Sequence, residues 1–490
     1  MGKVNIKIYF SDYFEIDPRV IEQYGAFNIS LISDLPLFID PFLLFNSRKR
    51  KYKELHKNII KYLQFLKGKS IQGNIDKGLL KAWYYFPEVK QNWMGFSISE
   101  NDGRGLGSDF AKALNENLNN IFKDFGKEKV TKGSHLEKLC LIKEGVGRDN
   151  ISDFTTNLIK EYLLDYTQAF ALKHTKEKFL KEKTVNKVCF NYTTETWENK
   201  TYTLPCHNDD YVLLTPKEIL TKDNTWINKS DLINDFSSLP DTIPNDQLRS
   251  QIDNYFLRQL SKDYTREDEI NAIYKTILEF PQIIDYFIKY KEDNGDRATS
   301  ISSQRVNYSN SLYVQQFGNL IRSLANTTNF YKIKGDTYQE ALDRVKYLKD
   351  IIENKDGWRI FYPNGKPIKK EEDIKILYRL TWFATQSDVT KEAGGGRGSV
   401  DYKIARGSKD KTLVEFKLAS NPQLKRNLKN QVEIYKKAHD TEKAIKVIIY
   451  FSKQELIKIQ KILKDLNMHN NENIVLIDAR KDNKASASKV

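Results

Sequence analysis

Between Ser399 and Ala419 the chain reads SVDYKIARGSKDKTLVEFKLA, two alternating apolar runs joined by a polar, glycine-containing turn. Alternation with a period of two, broken by turn formers, predicts a β-hairpin. Successive strand side chains point to opposite faces, so Val400, Tyr402 and Ile404 fall on one side and Asp401 and Lys403 on the other. Val414, Phe416 and Leu418 likewise oppose Glu415 and Lys417. Asp401 and Glu415 stand 14 positions apart, 415 minus 401. With the turn midway between them, the two carboxylates are expected to converge, with Lys417 beside Glu415. The competing reading of these residues is a solvated hairpin face.

Hard divalent cations seek carboxylate oxygens and keep several waters, so two converging acids and a backbone carbonyl suffice to hold one. A metal-bound water supplies a nucleophile, and an adjacent ammonium orients it and offsets charge building on a phosphate. Asp401, Glu415 and Lys417 are therefore the candidate catalytic residues, with Mg²⁺ or Mn²⁺ as the cofactor and a phosphodiester as the target.

Asp401 followed by Glu415-Phe416-Lys417 resembles the motif of the PD-(D/E)XK superfamily of restriction-type and repair nucleases. The surrounding text strengthens the resemblance: an acid-headed helix (EEDIKILYRLTWFATQ), a GGGRG lead-in, then a long helix and the strand AIKVIIYF. That order is similar to the family's restriction-endonuclease-like αβββαβ core. Gln431-Val432-Glu433-Ile434-Tyr435 resembles the QxxxY motif of RecB-type members, which implies that Gln431 and Tyr435 position the nucleic-acid strand. Val400 stands where the named motif has proline. The resemblance spans about residues 369 to 480. It implies Asp401 and Glu415 as metal ligands together with a helix acid, Glu371 or Glu372; spacing does not separate these two, and the reading leans to Glu372.

Lys425, Arg426 and Lys429, with Lys436 and Lys437, flank the QxxxY segment and would let a helix track a phosphate backbone. Arg397 adds charge to a glycine loop that permits close approach of phosphates. An ordinary exposed basic face and a plain connector remain the alternative readings.

The rest of the chain sets bounds. At 490 residues it is long enough for about two or three domains. A hydrophobic fraction of 40%, with 26 Phe and 27 Tyr, excludes a largely disordered protein. Cys140, Cys189 and Cys206 form no CxxC pair, which argues against a disulfide framework or a cysteine-rich zinc site. The six histidines are scattered without ligand spacing. No apolar run approaches bilayer length and the N-terminus lacks a signal-peptide pattern, so a cytosolic (cytoplasmic) protein with no membrane partner is expected. The formal charge of +14 favours a polyanion, DNA first, with RNA not excluded.

The expected fold class is α/β and α+β multidomain. Residues 1–240 read as a mixed domain, with strand-like VNIKIYF, FNISLI, LPLFI, VNKVCFNY, TYTLP and YVLLTP. Residues 241–360 show helical periodicity behind a proline-containing linker at 237–245. Residues 361–480 carry the nuclease-like pattern, and 481–490 are a low-complexity tail expected to be disordered. NDGRGLG at 101–107 and the glycines of Glu144–Asp153 mark two loops that lead into helices. In the second, Arg148, Asp149 and Asp153 crowd a helix start and form a possible second site for an anion, nucleotide or metal.

The sequence thus points to a metal-dependent DNA nuclease whose first two-thirds recognise a substrate, partner or trigger. Such a layout is similar to microbial antiphage defence and restriction proteins, and paired cutting would call for a homodimer or a partner protein. The rival classes are a nucleic-acid-binding scaffold with an inactive nuclease-like domain, and a nucleotide-sensing N-terminal effector.

Overall fold

The computed structural model describes residues 7–73, 75–95, 111–112, 114–115, 118, 125–142, 148–222, 224–261, 263–327, 336–354, 357–362, 366–368, 370–382, 385, 387–394, 399–407, 409–429, 439 and 441–484. The glycine loop at 101–107, Gly145, Gly147, Arg397, Gln431, Tyr435, Lys436 and Lys437 lie outside these.

The protein is mixed α and β. In the first half, β1 (Leu37–Ile39) pairs antiparallel with β5 (Leu220–Lys222), while β2 (Leu180–Asn191), β3 (Thr196–His207) and β4 (Asp210–Tyr211) form a separate antiparallel sheet. Among the described residues, FNISLI and all but the first residue of YVLLTP form no regular strand, and Phe10 at the end of VNIKIYF begins a helix. In FNISLI, Phe27 N donates to Thr215 O and Leu31 N to Ile8 O, while Ile29 O accepts from Phe10 N. In YVLLTP, only Tyr211 is in a strand; Val212, Leu213 and Leu214 donate to Pro205 O, Gln91 O and Thr167 Oγ1 in turn. Their buried backbone donors are satisfied by several neighbours, so β-propensity serves burial here without a ladder.

Helices dominate from Asp246 to Asn354. The proline-containing stretch at 237–245 is packed, with Leu239 and Ile243 in the core. Helix α1 (Arg50–Gln72) and helix α2 (Arg148–Leu158) belong to the first half; α3 (Thr337–Asn354) closes the helical region.

The C-terminal region is built on a five-stranded mixed sheet ordered β10-β9-β8-β7-β6, comprising β6 (Asp388–Gly394), β7 (Ser399–Arg406), β8 (Asp410–Leu418), β9 (Ala444–Tyr450) and β10 (Ile474–Asp478). The β6-β7-β8 meander is antiparallel, and β8, β9 and β10 run parallel. The sequence AIKVIIY of β9 reads as a nearly continuous apolar run because both faces are covered. Ile445, Val447 and Ile449 join the main core, and Ile448 and Tyr450 join a second cluster with Leu424, Leu428 and Ile459. On the main-core face lie α3 and α4 (Glu371–Thr381); on the other lie α5 (Lys453–Asp465) and the helical residues 424–429.

Helix α3 lies on the N-terminal side of the boundary expected near 361, yet it packs on this sheet. Thr337 donates from N and Oγ1 to the Asp410 carboxylate at 3.0 and 2.7 Å. Glu340 is buried against Arg344 at 2.8 Å, accepts from Ser387 Oγ at 2.7 Å and pairs with Arg406 of β7. Burial alone would raise the Glu340 carboxyl, but these hydrogen bonds and the Arg344 charge hold it below its ordinary value. One continuous core joins residues from Ile8 to Ala479. No described helix is long and apolar enough to cross a membrane. All three cysteines are free. Residues 485–490 lie outside the described set, whereas Asn483 and Lys484 hydrogen-bond to Asp478 and Glu353.

Candidate active site

The hairpin forms as the alternation predicts, with Tyr402 opposite Val414 and Arg406 opposite Asp410. The paired ladder ends at Tyr402–Val414, and side chains take over the backbone donors beyond it. Asp401 N donates to Glu415 Oε2 at 3.1 Å, and Phe416 N donates to Asp401 Oδ2 at 2.7 Å. The two carboxylates, 5% exposed each, therefore converge because each caps the other's strand. Val400 departs from the expected face: it packs with Leu413 and Ala444, apart from Tyr402 and Ile404 in the main core. At that point β7 has lost its pairing with β8 and is held by β6 alone, with Val400 opposite Ala393.

Lys417 Nζ lies 2.7 Å from Glu415 Oε1 and 3.4 Å from Glu371 Oε2. Helix α4 begins at Glu371 and supplies three consecutive acids. Residues on a helix step by about 100° each, so the three diverge. Glu371 faces Lys417 and accepts from Leu418 N and Asn421 Nδ2, both at 3.1 Å. Glu372 lies 3.8 Å from Lys375, whose Nζ is 2.7 Å from Asp401 Oδ1. Asp373 turns away to accept from Tyr313 OH at 2.6 Å and to pair with Lys222 at 3.3 Å. Four carboxylates (Glu371, Glu372, Asp401 and Glu415) thus alternate with two ammonium groups. Lys375 was missed by the sequence reading, although it lies three and four positions after Glu372 and Glu371, a spacing that shares a helix face.

The charges are graded. Burial and the neighbouring Asp401 carboxylate push Glu415 up to about 7, against the pull of Lys417. Burial draws Lys417 down, but the Asp401, Glu415 and Glu371 carboxylates outweigh it and hold the ammonium above its ordinary value. Lys417 is therefore a fixed positive charge and hydrogen-bond donor, and a poor proton acceptor.

A cleft of about 650 Å³ opens beside α4; Glu371, Glu372 and Lys375 line it, whereas Asp401, Glu415 and Lys417 lie behind its lining. One wall is C-terminal: Lys370, Glu371, Glu372, Lys375 and Asn421. The facing wall comes from the first two-thirds of the chain, with Pro36, Arg148, Lys222 and Tyr313. Lys222 is 151 residues from its partner Asp373, and no local pattern signals that meeting. Lys425, Arg426 and Lys429 are exposed on the helical residues 424–429, and Lys425 pairs with Asp465 at 2.6 Å.

Of the second group, Arg148 begins α2 and lines the cleft. Its guanidinium lies 4.9 Å from the Phe38 ring and donates to Asn224 Oδ1 at 3.4 Å. Asp153 belongs to a different neighbourhood: burial, then the carboxylates of Glu88, Asp149 and Asp34, push it up to about 8. Arg148 and Asp153 thus have different surroundings, although both stand on α2.

The carboxylate set at Asp401, Glu415 and α4 has the hard oxygen donors that Mg²⁺ or Mn²⁺ requires. Among the described residues, no three His, Cys, Asp or Glu side chains stand in position to ligate one ion together. Within the site, the lysine ammonium groups lie between the carboxylates.

Two family profiles match the chain. One, described as "Domain of unknown function (DUF8370)", covers residues 15–228, and a second, "Domain of unknown function (DUF8371)", covers residues 337–453. The second match begins with α3 and includes Asp401, Glu415 and Lys417. No curated protein and no solved structure matches the chain.

Proposed function

We propose that the chain is a metal-dependent nuclease that hydrolyses phosphodiester bonds in DNA, through a restriction-endonuclease-like C-terminal core. The observation that carries the reading is the mutual capping of Asp401 and Glu415, with Lys417 held charged beside them and with Glu371 and Lys375 linking the set to a cleft that further cations line. Clustered buried carboxylates cost stability, so their retention beside a basic cleft favours a chemical task.

Asp401, Glu415 and one acid of α4 would hold Mg²⁺ or Mn²⁺. Glu372 shares Lys375 with Asp401, and Glu371 shares Lys417 with Glu415, so each helix acid has a route into the set. When bound, such a cation lowers the pKa of a coordinated water and offsets phosphate charge. Lys417 donates to a non-bridging phosphoryl oxygen as negative charge develops. Arg148, Lys222 and Lys370 line the path of the strand and hold neighbouring phosphates in register. Lys425, Arg426 and Lys429 extend the basic surface, with Arg397, Gln431 and Tyr435 as further strand contacts. A defence or restriction role, acting as a homodimer or with a partner protein, is the biological setting we favour.

The test incubates the full chain with circular and linear duplex DNA, single-stranded DNA and RNA, in Mg²⁺, Mn²⁺ or EDTA. Metal-dependent DNA cleavage, lost in Glu415→Gln and in Asp401→Asn, is the expected result. Cleavage that survives both substitutions, or binding without cleavage by the native chain across all metals, would overturn it.

A further inference from the structure

Away from the cleft, α1 places Lys53, Lys57 and Lys61 at successive four-residue steps, one line along the helix spanning about 12 Å. Like charges at this spacing repel. Among the described residues, Lys53 and Lys57 form no ion pair, and the Lys61 ammonium lies 4.0 Å from the Tyr192 ring centroid. Lys132 joins the line from the facing loop, where it also pairs with Asp293 at 2.7 Å. Together these side chains ring the mouth of a cavity of about 560 Å³.

The floor of that cavity is different in character. His56 is 5% exposed and lines the cavity, and its Nε2 has no hydrogen-bond partner. Burial, and then the neighbouring His135 ring, lowers this imidazole to about 3, so it is neutral across the physiological range. The Phe45 ring lies 5.2 Å from it, and Ile60 adds an apolar wall. The loop opposite closes tightly on Phe45: a Cβ at Gly133 would lie 2.8 Å from the ring. That loop is anchored at Glu292, which accepts from Lys132 N, Gly133 N and His135.

We propose that this cavity binds a mononucleotide carrying several phosphates, with the phosphates on Lys53, Lys57, Lys61 and Lys132 and the base against Phe45 and His56. Ammonium groups in a row neutralise a polyphosphate, and an aromatic floor accepts the flat face of a base. The unpartnered imidazole nitrogen supplies one specific hydrogen bond, and the amide of Gln64, which also lines the cavity, can supply another. Inorganic phosphate alone would leave the apolar wall and the buried nitrogen unused, and a continuous strand would leave the floor unfilled. The site shares no residue with the nuclease reading, so either can fail alone.

The test is calorimetric titration of the full chain in EDTA with ATP, tripolyphosphate, adenosine and a single-stranded DNA 12-mer. The expected result is ATP binding at least roughly tenfold tighter than tripolyphosphate or adenosine, and weakened at least roughly tenfold in Lys57→Glu/Lys61→Glu. Both lysines are exposed, so that variant should fold, which circular dichroism checks. His56→Phe should reduce the preference for ATP over tripolyphosphate while leaving tripolyphosphate binding intact. The proposal is overturned if ATP does not bind, if tripolyphosphate binds as well as ATP, if DNA alone is affected by the double variant, or if ATP binding survives it.

Discussion

The molecule contains two groups of buried and half-buried carboxylates that it treats in opposite ways. In the C-terminal sheet, Asp401, Glu415, Glu371 and Glu372 are threaded with Lys375 and Lys417. Around α2, Asp153 is shifted by burial and by three other carboxylates, and it is pushed up to about 8. The first arrangement keeps positive charge among the acids, as a site for a phosphate and a cation needs. The second favours a neutral acid, which can donate a hydrogen bond inside the fold. Proximity of carboxylates therefore says little about a site until the cations between them are located.

The same carboxyl-to-amide change made in both places should separate the two clusters most strongly. Glu415→Gln should reduce the initial rate of DNA cleavage by on the order of 10²–10⁴-fold, whereas Asp153→Asn should leave it within about threefold. Equal losses would mean that the two clusters are not functionally distinct.

The Asp153 carboxyl also makes stability depend on pH. Below the ordinary carboxylate pKa, Asp153 is protonated in both folded and unfolded chains. As pH rises towards about 8, the unfolded chain loses that proton while the folded one keeps it. The folded state then binds more protons, so stability should fall as pH rises, by up to about 1.4 kcal/mol per pH unit, and level off above about pH 8. Urea unfolding across this range measures the slope, and Asp153→Asn should flatten it. An unchanged slope would remove Asp153 as its cause.

Smaller effects test the cleft wall. Arg148→Gln should raise KM for DNA roughly tenfold with little change in kcat, since Arg148 faces the strand path and not the reacting bond. A fall in kcat of the same size would place Arg148 in the chemistry. Smallest of all, Lys425→Ala should leave the cleavage rate at low salt nearly unchanged and reduce the salt dependence of DNA binding by about one counterion. An unchanged salt slope would return Lys425 to an ordinary exposed pair with Asp465.

Much of the hairpin was legible because its information is local. The period-two pattern of SVDYKIA and TLVEFKLA set the strands, and the turn between them set which acids could meet. Strand β9 was legible for the same reason, since a short, nearly continuous apolar run rich in β-branched residues suits a strand covered on both faces. FNISLI and YVLLTP misled because their apolar residues record burial, and several separate segments supply that burial without a ladder.

By itself, then, the sequence determined the strand pair, the convergence of Asp401 and Glu415, the place of Lys417 beside them and the acid-headed helix that follows the helical region. Tertiary structure alone decided how Glu371, Glu372 and Asp373 divide among Lys417, Lys375 and Lys222, and that Arg148 turns to the cleft while Asp153 turns into a carboxylate cluster. It also placed His56 beneath a line of lysines. Periodicity fixes the direction a side chain takes from its own element, but the partner it meets there is set by chain segments up to hundreds of residues away, whose approach is fixed only when the shared core closes.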